Sequence, residues 1–123
     1  MAEQKQRAQA DRTKQREKEN AELRLAVRQV YVKGNPNLNS GIRNAILKEK
    51  LRAGMTMWDV IAAYSMWEYS NDPRAKDFRD SGVVSLWNLQ NRVNPNPDQE
   101  EWFLQRGKDR KHLSFKKGLL ASY

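Results

Sequence analysis

The sequence predicts an α+β fold: an N-terminal helix, then a helix–corner–helix pair, packed on a small antiparallel β-meander. Three observations predict it. Apolar residues recur at helical spacing from Leu23 to Tyr64. Residues 54–60 read "GMTMWDV", a helix stop and a helix start compressed between two apolar-periodic runs. From residue 83 onward the chain breaks into short apolar segments separated by Gly- and Pro-bearing turns. Residues 1–33 read as one long helix, polar at first and amphipathic later, and residues 34–123 as a small α+β domain.

The stretch 2–22, "AEQKQRAQADRTKQREKENAE", is rich in helix formers and has no Gly, no Pro and no large apolar residue. A helix polar all round has nothing to bury, so both a projecting helix and a disordered lead are open here. From Leu23 an apolar stripe begins, with Val27, Val30 and Tyr31, and "GNPNLNSG" (34–41) ends it with Gly34 suited to a left-handed cap. The second helix is predicted from Gly41 to Ala53, capped by Ser40, with Ile42, Ala45, Ile46 and Ala53 inward and Leu47 and Leu51 beside them.

Gly54 is then the expected terminator of that helix, since glycine adopts a positive φ without steric cost. Thr56 caps the third helix, and Asp59 at its third position reaches back to the Thr56 amide, a capping-box variant. Met55 and Val60 bracket the cap as a hydrophobic staple, and Ile61 and Tyr64 continue the buried face. Residues 69–82 read as loop. "VVSLWNL" (83–89) reads as a strand and "QNRVNPNPDQE" as a turn-rich linker, because Pro95 and Pro97 extend the backbone before them. "EWFLQR", "KHLSFK" and "LLASY" complete the meander, joined at "GKD" and at Lys117–Gly118.

With 123 residues, 38% of them apolar and 31% charged, the chain supports one domain with a modest core. It has no cysteine, hence no disulfide and no thiolate metal site, and no apolar run of membrane-spanning length. No apolar leader opens it either. The formal charge of +8 suggests an anionic partner: nucleic acid, lipid headgroups or an acidic protein surface. The excess is concentrated late. Residues 1–24 carry a net of only +2, whereas "RGKDRKHLSFKK" (106–117) holds six bases and one acid. Arg106, Lys108, Arg110, Lys111, Lys116 and Lys117 are accordingly the candidate contacts for an anion or partner. A solvated hairpin is the bland alternative.

Catalytic chemistry finds little footing. His112 is the single histidine, with no orienting partner visible in the sequence, and reads as an ordinary exposed side chain. Asp77, Asp80, Asp98, Glu100 and Glu101 fall in loops or at a strand start, among bases, and read as solvated surface. There is no phosphate-binding glycine loop and no nucleophile elbow. Neither a metal nor a cofactor is expected, nor a small-molecule substrate. Trp102, Phe103 and Phe115 among the basic residues suggest a base-stacking platform, but a short sheet needs one face for its core. Phe115 and at least one of Trp102 and Phe103 are assigned to that core.

The corner "GMTMWDV", together with "EWFLQ" and "HLSFKKGLL", resembles the SmpA/BamE-like family of small bacterial outer-membrane assembly lipoproteins. The matching positions are Trp102, Leu113, Phe115, Gly118 and Leu119, and the likeness spans roughly half the chain. Three features depart from the family. The Gly-x-Pro after its second helix is replaced by "AYSMW", a lipid-bearing cysteine is absent, and the polar lead and residues 66–98 are additional. The resemblance implies a BamE/BLIP-like fold and a non-catalytic scaffold of the cell envelope, in the periplasm or at the outer-membrane periphery. Such a module docks on other proteins of an envelope complex and touches anionic lipid headgroups through basic residues. Two alternatives stand beside it: a cytoplasmic nucleic-acid-binding accessory protein, and a structural subunit assembling through its N-terminal helix.

Overall fold

The computed structural model describes residues 2–123, with side chains described from Asp11 onward. The chain is α+β: four helices precede a four-stranded antiparallel sheet. Helix α1 runs Ala2–Lys33, α2 Ser40–Leu47, α3 Met57–Tyr64 and α4 Lys76–Asp80. Strands β1 (Asn88–Asn96), β2 (Gln99–Arg106), β3 (Asp109–Lys116) and β4 (Leu119–Ser122) follow in spatial order β1-β2-β3-β4.

The polar lead is helical. At 1.5 Å per residue the 32 residues of α1 extend about 48 Å, and among its described side chains the buried ones lie in the C-terminal part. Asp11–Glu19 are all exposed, whereas Val27, Arg28 and Tyr31 are buried. Val30, expected in the apolar stripe, is instead 60% exposed, because it lies one helical step aside from the docked face. Gly34 closes the last turn through its N–H to the Val30 carbonyl at 3.0 Å and takes no left-handed φ.

Helix α2 is shorter than its periodicity predicts, and Asn39 rather than Ser40 is its N-cap, accepting from the amides of Gly41 and Ile42. It ends at Leu47, seven residues before Gly54. The Lys50 and Glu49 amides return to the carbonyls of Ala45 and Ile46, and Glu49 sits at φ 55°. This is a Schellman closure with a glutamate where glycine is usual. A left-handed non-glycine costs about 1–2 kcal/mol. Two arginines from α1 offset that cost. The Arg28 Nη1 donates to Glu49 Oε1 at 2.8 Å and the Arg24 Nε to the same oxygen at 3.4 Å.

Gly54 still turns the chain, with φ 91°, but onto the sheet and not off a helix. Its N–H donates to the Leu120 carbonyl at 2.9 Å, the Leu120 N–H returns to the Met55 carbonyl at 2.7 Å, and Thr56 bridges Leu119. The corner thus lies along β4 as an additional rung. The predicted capping box is present: Thr56 Oγ1 accepts from the Asp59 amide and Asp59 Oδ2 from the Thr56 amide, both at 3.1 Å. Met55 and Val60 are fully buried, as a staple requires. Every residue of α3 from Asp59 to Tyr64 is buried.

Residues 69–82 are not all loop, since a 3₁₀ turn (Pro73–Ala75) leads into α4. Residues 83–87 form no strand. The first strand starts at Asn88 and runs through the predicted linker, Pro95 included. Pro95 is tolerated because β1 is an edge strand, and register shifts between Leu89 and Asn91 and between Val93 and Asn96 interrupt it. Trp102, Leu104, Leu113, Phe115 and Leu120 form the buried face of the sheet and share one core with Val60, Tyr64, Met66 and Trp67.

Candidate functional site

The six candidate cations do not form one cluster. The two-residue turn Gly107–Lys108 pairs Arg106 with Asp109, and the register then pairs Lys116 with Gln99 at the opposite end of β3. Arg106, Lys108 and Arg110 therefore crowd one end of the sheet. Lys116 and Lys117 lie roughly 20 Å away, seven residues along a strand rising ~3.3 Å each. Lys111 turns to the inner face, where its ammonium lies 5.6 Å from the Trp87 ring and 5.8 Å from that of Tyr64. Among the described residues, Arg106, Lys108 and Arg110 make no ion pair.

Between these ends the outer sheet face carries a ring pair. Phe103 and His112 are cross-strand partners whose rings stack at 4.6 Å and 7°. His112 Nε2 also lies 3.3 Å from Glu101 Oε1. Trp102 and Phe115 are buried, as assigned, and Phe103 is the aromatic left outside, 37% exposed. The signal for this pair was present: counting outward from Gly107–Lys108 aligns Phe103 with His112.

Of the candidate acids, Glu100 and Glu101 are the ones with side-chain partners among the described residues. Glu100 accepts from Arg92 Nε at 2.7 Å and from Trp102 Nε1 at 3.0 Å. Among the described residues no group of three or more His, Asp or Glu is gathered as a metal site would need, and no helix is long and apolar enough to cross a membrane.

A second surface feature escaped sequence reasoning. A groove of about 600 Å³ opens between the end of α1, the α1–α2 loop, the start of α3 and α4. Val30, Tyr31, Leu38, Trp58 and Phe78 line it, with Arg74 at its mouth. Beneath it, Phe78 stacks on the buried Trp67 at 4.3 Å. In its floor the Tyr31 hydroxyl donates to Asp59 Oδ1 at 2.6 Å. Burial, then the hydrogen bond to Asp59, holds the Tyr31 phenol well above its ordinary value. At the mouth, Arg74 lies 4.9 Å over the Trp58 ring and donates to Asp72, whose carboxyl these bonds lower to about 2. The groove draws on four separate segments, so no local motif announces it.

No family model, no curated protein and no solved structure matches this chain.

Proposed function

We propose that this chain is a non-catalytic docking module of the bacterial cell envelope, acting by surface complementarity with partner proteins. The observation that carries the reading is the arm formed by α1. A solvent-exposed helical stretch from Asp11 to Glu19 leaves the body, while its other end is fastened to α2 and α3 by Arg28 and Tyr31. A chain that holds a polar helix away from its core gains contact surface and no reaction chamber. Glu100, Glu101 and His112 support the same view, being spent on sheet neighbours instead of converging on a cleft. The resemblance of "GMTMWDV" and "HLSFKKGLL" to envelope assembly lipoproteins is what supports the envelope as its compartment.

The test is photo-crosslinking in the native cell from an aryl-azide or benzophenone residue placed at Arg16 on the arm and at Val30 beside the groove. Discrete adducts to envelope proteins are expected from at least one position. A chain that fractionates with the cytosol, or that yields no adduct from either position, overturns the reading.

A further inference from the structure

The outer sheet face around Phe103 and His112 has no task in the fold. The buried face of β2 and β3 holds Trp102, Leu104, Leu113 and Phe115, so the stacked pair opposite contributes nothing to that core. Val93, cross-strand from Glu101, adds a further exposed apolar side chain to this face. A shallow recess of about 360 Å³ lies beside the stack, reaching Gln90, Gln105 and Arg110. Arg110 lines it, with Lys108 in the adjoining turn, both without acid partners among the described residues, whereas Arg106, paired with Asp109, falls on the inner-face alternation of Trp102 and Leu104.

We infer that this face docks an acidic segment of a partner protein, with Phe103 and His112 at the centre of the contact and Lys108 and Arg110 meeting its carboxylates. The inference rests on the docking role proposed above and names the partner's chemistry. An aromatic anchor beside arginine, ringed by polar side chains, is the usual composition of a protein–protein hot spot. Unpaired cations at its rim complement an acidic patch and steer its approach.

Two other anionic surfaces fit less well. A single-stranded nucleic acid needs open ring faces, but Phe103 and His112 spend one face each on the other. A bilayer needs apolar side chains at the point of entry, and the tip from Arg106 to Arg110 has none.

The experiment is a titration of the full chain, followed by amide chemical shifts, with a short polyglutamate peptide, a polyglutamine control, oligothymidylate and phosphatidylglycerol vesicles. The glutamate peptide should perturb Phe103, His112 and residues 106–110. The variant Lys108→Gln/Arg110→Gln should weaken it about fivefold or more, while Lys116→Gln/Lys117→Gln, with the same loss of charge, changes it less than about twofold. Phe103→Ala should weaken it as well without altering the dispersion of core signals. Equal loss in the two double variants, tighter binding of oligothymidylate or vesicles through the same residues, or no perturbation of this face overturns the inference. Adducts from Val30 or Arg16 that persist in such a case leave the docking role standing, whereas their absence removes both.

Discussion

The Tyr31 hydroxyl and the Asp59 carboxylate, 28 residues apart, meet at 2.6 Å inside the body. One carboxylate oxygen of Asp59 caps its own helix through the Thr56 amide, and the other receives α1. The same acid that starts α3 therefore holds the arm. Tyr31→Phe strands the Asp59 oxygen and should cost about 1–3 kcal/mol, measured by urea unfolding. The pH dependence has a definite sign. The folded phenol is held above the unfolded value near 10, so its contribution is complete below about pH 10 and declines as pH rises beyond it. Wild type should lose more stability than Tyr31→Phe between pH 9 and 11, and equal slopes would refute the assignment.

The second fastening is ionic. Burial pushes the Arg28 guanidinium down from its ordinary value and Glu49 pushes it back. Removing the acid leaves a cation only 5% exposed with the Leu47 carbonyl as its remaining acceptor. Glu49→Ala should therefore cost about 2–4 kcal/mol, near the range for breaking a buried pair. The double variant Arg28→Met/Glu49→Ala should be more stable than Glu49→Ala alone. Denaturant midpoints of the three chains decide it.

Ser65 closes α3 at φ 55°, with its hydroxyl buried and unpartnered among the described residues. Glycine relieves both strains, so Ser65→Gly should stabilise by about 1 kcal/mol. Gly54 stands in the opposite situation. Its φ of 91° is available to glycine alone at low cost, and Gly54→Ala should destabilise by about 1 kcal/mol although a Cβ meets open space there. Thermal melts of both variants would show shifts of opposite sign.

What the sequence by itself determined is what depends on neighbours along the chain. The capping box at Thr56 and Asp59, the Gly107–Lys108 and Lys117–Gly118 turns, the α+β order and the burial of Phe115 all follow from local hydrogen bonding and period. Tertiary structure decided the rest. Helix α2 stops at Leu47 because Arg24 and Arg28, more than twenty residues upstream, stabilise a left-handed glutamate that propensity alone disfavours. Strand β1 occupies the proline-bearing linker because an edge needs only one row of backbone partners, which β2 provides. The basic cluster divides because antiparallel register carries residues 106 and 116 to opposite ends of the sheet. The groove beside Tyr31 is invisible to any window of the sequence, since its walls become neighbours only when four segments pack. Local chemistry selects the elements. Where they end, and which surfaces they leave open, is settled by contacts between residues far apart in the chain.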